Sequence, residues 1–203
     1  MKKTWLTVLF FIGIVISNAQ TGNYKYDLYI DLHSIRAVKV DEGIMGDNDE
    51  DVWGVLGVYK ITGVPGAKYP VFLWNTSYAL KVSTEYIPFH IKALRIDGLT
   101  FQQLTSLSFT IGGDLHDDEP LIDDPDYYTI NQNPRNRRSI TFSDSNNRGE
   151  IEKMKPKPAG EYQYQIIKGG DNNYWEMDYY ENGDNRRSHL RVRWQFSVVV
   201  KES

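Results

Sequence analysis

Two acidic segments hold the residues whose types and spacing best suit a chemical task. The first runs Asp41-Glu42-Gly43-Ile44-Met45-Gly46-Asp47-Asn48-Asp49-Glu50-Asp51. The second runs Gly112-Gly113-Asp114-Leu115-His116-Asp117-Asp118-Glu119 and is extended by Asp123, Asp124 and Asp126. Carboxylates packed this closely repel one another, and a bound dication offsets that cost. Calcium takes oxygen ligands from carboxylates, carbonyls and water, and it is plentiful outside cells. Asp47, Asp49 and Asp51 have the spacing of the first three ligands of an EF-hand, but Val52 stands where the turn needs glycine and Val58 where the bidentate glutamate belongs. A helix-loop-helix site is rejected on that ground. What remains is calcium shared between two loops at one end of a sandwich. Against this stands the ordinary use of acidic residues at strand ends, which is to stay solvated and to blunt sheet edges.

Aromatic side chains offer a second chemistry, stacking on sugar rings. Tyr127-Tyr128, Tyr162, Tyr164, Tyr174-Trp175 and Tyr179-Tyr180 concentrate in the C-terminal half. Exposed on one sheet face, they would make a carbohydrate platform, apolar in body and polar at the rim. Aromatics also favour strands for packing alone, and Trp194 is expected in the core. Trp175, beside Asn172 and Asn173, is the one expected at the surface. Arg135, Arg137, Arg138 and Arg148 form one basic group, and Arg186, Arg187, Arg191 and Arg193 another; either suits an anion or a balancing carboxylate.

No enzyme constellation stands out. The four histidines, His33, His90, His116 and His189, fall in separate segments without zinc-ligand spacing, and there is no nucleophile elbow or phosphate-binding loop. Paired carboxylates of the glycosidase kind are the third reading, behind two non-enzymatic ones, because 27 acidic residues make a chance pair easy to find. With no cysteine, disulfides, thiolate metal sites and thiol nucleophiles are absent.

The elements that must position these residues read as strands. Leu190, Val192, Trp194, Phe196, Val198 and Val200 share one face of a final segment, while His189, Arg191, Arg193, Gln195 and Ser197 share the other. Tyr24, Tyr26, Leu28, Ile30 and Leu32 alternate in the same way near the start. Further strands are expected at Val52–Ile61, Tyr69–Trp74, Tyr78–Thr84, His90–Ile96, Leu104–Ile111, Ser139–Phe142, Glu161–Lys168 and Trp175–Tyr180. A short helix at Thr100–Ser106 has a capping pair in Thr100 and Gln103, though the alternation of Leu107, Phe109 and Ile111 favours strand over most of that stretch. Gly149–Gly160, with Pro156 and Pro158, is expected to be a long exposed loop. Many short strands divided by Gly, Pro, Asn and Asp predict an all-β protein, an antiparallel β-sandwich or, in the alternative, a β-barrel or jelly roll.

Residues 1–19 have the order of a cleaved signal peptide: Lys2 and Lys3, an apolar run from Trp5 to Ile16, then Ser17-Asn18-Ala19 before Gln20. The run is shorter than a spanning helix needs. This resembles bacterial export signals and places the single domain 20–203 in the periplasm or outside the cell. The signal holds two of the 23 basic residues and none of the 27 acidic ones, so the exported part has a net charge of −6. Such a chain would repel phosphates, which excludes nucleic acid as a natural partner.

The order of Tyr26–Val38, Asp41–Asp51 and Val52–Tyr59, followed by Leu107–Ile111 running into Asp114, Asp117 and Asp118, resembles the synaptotagmin and protein kinase C type of calcium-binding sandwich over about residues 24–128. That likeness implies calcium held between two loops by Asp47, Asp49, Asp51, Asp114, Asp117 and Asp118, with the loop tips touching a membrane or a protein partner. The chain departs from the family after the first loop, where Asp51-Val52-Trp53 stands in place of Asp-Pro-Tyr. The sequence therefore points to an exported interaction module, either calcium-dependent through its acidic segments or glycan-binding through exposed Trp and Tyr.

Overall fold

The strictest alternation in the chain belongs to its last strand, and the fold is assembled around it. The computed structural model describes residues 24–40, 49–64, 69–89, 94–117, 127–130, 136–158, 163–169, 172–181 and 187–203. The expected signal peptide lies outside these residues, as do His90, Asp123, Asp124, Asp126, Arg135, Tyr162 and Arg186. Strand β1 (Tyr24–Lys39) pairs antiparallel with β11 (His189–Glu202) over its whole length, from Tyr24 opposite Glu202 to Lys39 opposite His189. Leu28, Ile30 and Leu32 face inward across from Val198, Phe196 and Trp194, all of them buried. A bulge between Leu32 and Ser34 resets the parity, so Ile35 and Ala37 point inward again.

The other strands are β2 (Glu50–Thr62), β3 (Val71–Val82), β4 (Ile87–Pro88), β5 (Leu94–Leu99), β6 (Ser108–Asp117), β7 (Tyr127–Thr129), β8 (Arg137–Thr141), β9 (Tyr164–Ile167) and β10 (Trp175–Glu181). They join in the order β3-β2-β6-β7-β10-β11-β1-β4, with β5 also on β1, β8 on β6 and β9 on β11. The all-β, antiparallel class expected from the sequence is the one adopted, and the strands form a nearly closed barrel with one open seam between β3 and β4. Across that seam the Ala37 amide of β1 donates to the Ser83 carbonyl, just beyond β3, at 2.8 Å. The segments expected as two strands at Tyr69–Trp74 and Tyr78–Thr84 form the single strand β3, irregular near Leu73 and at the Thr76–Tyr78 turn.

Two short helices sit at the end of the barrel where β1 begins. α1 (Phe101–Thr105) has the expected capping box between Thr100 and Gln103, and it stops at Ser106, so strand starts only at Ser108. α2 (Ser145–Glu152) occupies the start of the expected Gly149–Gly160 loop, with the Asp144 carboxylate accepting from the Asn146 amide at 2.9 Å. Leu104, Leu107, Phe142 and Ile151 carry these segments into the core, where Phe142 meets Phe109 at 4.9 Å and Phe196 at 5.4 Å between ring centroids.

Where β2 and β6 meet, the backbones pass unusually close. A Cβ on Gly54 would lie 2.1 Å from the Asp114 carbonyl oxygen, and one on Gly113 would lie 1.8 Å from that of Val55. Both glycines hold φ in the range L side chains avoid, +140° and +157°. Gly54→Ala therefore forces the two strands apart or off register, with an expected loss of about 1–3 kcal/mol. Denaturant unfolding measures this directly; a loss below about 0.5 kcal/mol, the ordinary scatter of surface changes, would show that the close approach is not needed.

Candidate functional site

The β2–β6–β7 register brings three ring side chains into a row on the outer surface. Trp53 pairs with His116, and His116 pairs with Tyr127. Trp53 stacks on His116 at 4.2 Å with 15° between the planes, and Tyr127 meets His116 edge-on at 4.9 Å. Tyr127 is 49% exposed, so the row opens to solvent. Burial lowers the His116 pKa, with Asp114 opposing the shift, so the imidazole is neutral at pH 7. Among the described residues its Nδ1 has no hydrogen-bond partner.

Further along the same face, Asp114 stands opposite Val55, and its Oδ1 accepts from Asn136 Nδ2 at 3.3 Å. Beyond it comes a second aromatic group. Tyr59 is the bulged residue between Val58 and Lys60; the Arg137 guanidinium lies 3.6 Å over its ring, and Phe72 meets it edge-on at 6.0 Å. Phe72 is 48% exposed. The Tyr59 hydroxyl is raised above its ordinary pKa by burial and by Asp114, against the pull of Arg137. Under this stretch, at the two glycines of β6, Tyr179 packs inside the barrel. Burial, then Tyr59 and Asp114, raise its pKa. Its hydroxyl makes no well-aligned hydrogen bond among the described residues, because the nearby Gly113 amide already donates to the Asn136 carbonyl at 3.0 Å.

The inner side of the same strands carries acid instead. Glu50, Asp117 and Glu181 point inward where β2 starts and where β6 and β10 end, each only 5% exposed. Tyr128 donates to Glu50 Oε2 at 2.9 Å, and Ser188 Oγ donates to Glu50 Oε1. Glu181 accepts from the Ser188 amide at 3.1 Å and from Arg187 at 3.0 Å. Burial drives the Tyr128 pKa far up, and the charges of Glu50, Asp117 and Glu181 push the same way, so this phenol stays a donor. The cluster ties β2, β7 and β10 to the chain entering β11.

The residues expected as calcium ligands fall as follows. Gly112–Asp117 is strand, not loop, and so is Asp51. Val52 pairs with Asp117, so the described parts of the two acidic segments, residues 49–51 and 114–117, lie side by side. Strand alternation then divides them: Asp51 and Asp114 share the outer side with Trp53 and His116, while Asp117 turns inward. Asp49 directly precedes β2; Asp47 and Asp118 lie outside the described residues. Among the described residues no group of three or more His, Asp or Glu is placed to hold a metal.

The aromatics singled out by sequence are mostly committed to packing. Trp175, expected at the surface, leans edge-on against Phe196 at 5.9 Å and donates Nε1–H to the Ile167 carbonyl. Tyr128, Tyr179 and the expected core residue Trp194 are fully buried, and Tyr180 stacks on His189. Arg191 and Arg193 are paired with Asp178 and Glu176. Trp53, His116, Tyr59 and Phe72 were not readable as a site, although Trp53 and Tyr59 fall on one side of an alternating segment. No family model matches the chain and no curated protein sequence aligns with it; the likeness to the synaptotagmin and protein kinase C type of sandwich extends to the antiparallel all-β class.

Removing the Tyr128 hydroxyl tests the inner cluster. Tyr128→Phe keeps the ring and strips one donor from buried Glu50, with an expected loss of about 1.5–3 kcal/mol in thermal or chemical unfolding. An unchanged stability would mean that the carboxylate finds another donor at no cost.

Proposed function

We propose that the protein is a carbohydrate-binding module whose platform is the outer face of β2, β6 and β7. The observation that supports this reading is the cross-strand row Trp53–His116–Tyr127, in which Trp53 stacks on His116 and Tyr127 meets it edge-on and opens to solvent. Flat rings with apolar faces and polar edges suit the C–H faces of a sugar, and a rigid strand scaffold lowers the entropy lost on binding. Asp51 and Asp114 flank the row on the same side and supply acceptors for sugar hydroxyls. An exported module of this kind would meet polysaccharide in the periplasm or outside the cell.

Affinity electrophoresis through gels containing soluble polysaccharides tests the reading. Retardation is expected for the native chain, and Trp53→Ala should weaken binding by at least about tenfold, the effect of losing one good stacking contact. Retention of full binding by Trp53→Ala would move the site elsewhere. The same gels run with calcium and with a chelator separate this reading from the calcium-dependent one, in which binding would require the ion.

A further inference from the structure

The outer face has two aromatic groups, not one, and their spacing bears on what the platform takes. Trp53 and Tyr59 lie on the same strand, six residues apart, which at strand rise is about 20 Å. The first group is Trp53, His116 and Tyr127; the second is Tyr59 with Phe72 at its edge and Arg137 over its ring. The stretch between them is polar. Asp114 stands there, held by Asn136, beside the β6 glycines whose missing side chains make room for the Asn136 and Val55 carbonyls. A mono- or disaccharide covers one group and leaves the other empty.

Charge narrows the ligand further. Asp51 and Asp114 flank the first group, with Lys81 opposite Asp51 and Arg137 over the second group, and the whole chain has a net charge of −4. A polyanionic glycan would bring like charge against both carboxylates. Resting on the carbohydrate reading above, we infer that the face takes a linear, uncharged oligosaccharide laid along β2, long enough to stack on both aromatic groups at once and to hydrogen-bond Asp114 between them. Contact at both ends makes the second stacking event intramolecular, so affinity rises steeply with chain length until both groups are covered.

The test is isothermal titration of the full chain with cello-, manno-, xylo- and chito-oligosaccharides of two and of six residues, and with oligogalacturonate of six residues as the anionic arm. At least one neutral hexasaccharide is expected to bind about tenfold or more tighter than its disaccharide. Phe72→Ala, a change at an exposed side chain, and Tyr59→Ala should reduce hexasaccharide affinity towards the disaccharide level. Trp53→Ala should weaken both. Equal affinity for two and six residues would overturn the two-ended face while leaving a single-group platform standing, and tighter binding of oligogalacturonate would overturn the neutral ligand. No binding of any probe would remove the carbohydrate reading itself, and this inference with it.

Discussion

The close passage of β2 against β6 is the constraint on which the outer face depends. Ladder hydrogen bonds alone tolerate a slip, and a slip of one residue would turn every side chain of a strand to the other face. Here Gly54 sits against the Asp114 carbonyl and Gly113 against that of Val55, each filling space that a Cβ would deny. The two backbones lock at this point, and the lock places Trp53 opposite His116 and Val55 opposite Asp114. Shifted by one, Trp53 would turn into the core and Glu50 would lose Tyr128. Gly54, inside an expected strand, and Gly113, at the head of the second acidic segment, are in the folded chain what lets two strands come together.

The same alternation divides the charge of this end of the barrel into two environments. Inward, Glu50, Asp117 and Glu181 are held in a low-dielectric setting where each lost hydrogen bond is expensive. Tyr128, Ser188 and Arg187 supply donors there, and the result stitches together strands that are far apart in sequence. Outward, Asp51 and Asp114 remain beside solvent and beside rings. The acidic character that draws the eye in the sequence thus serves two ends: buried carboxylates that join strands at the barrel mouth, and surface carboxylates that border an aromatic row.

How much of this was legible depends on the range of the interaction. Period-two alternation needs only neighbouring residues, so the β1 and β11 faces, and Trp194 as core, could be read directly. The Thr100–Gln103 capping box is equally local. Helix α2 has Ile151 as its one buried apolar residue, so it carries no amphipathic stripe; Asp144 as a cap was its only signal. The bulges at Leu32/Ser34 and near Tyr59 and Leu73 are set by strand partners and leave no local mark. The site is the least legible part, because Trp53, His116 and Tyr127 become neighbours only through the register of three strands. Of the C-terminal tyrosines, Tyr127 joins the row while Tyr128 and Tyr179 are buried, because composition shows where aromatics are dense and pairing decides which face they occupy.

The outer face is most directly tested by following the tryptophan indole N–H signals in a ¹⁵N-correlated NMR titration with neutral hexasaccharides, using buried Trp194 as the internal reference. Stacking on β2 predicts that the Trp53 indole signal and the ring signals of His116 and Tyr127 shift together, while Trp194 stays where it is. Shifts confined to another surface, such as the exposed Tyr164 ring packed on Tyr29, with Trp53 unmoved, would contradict the assignment of this face.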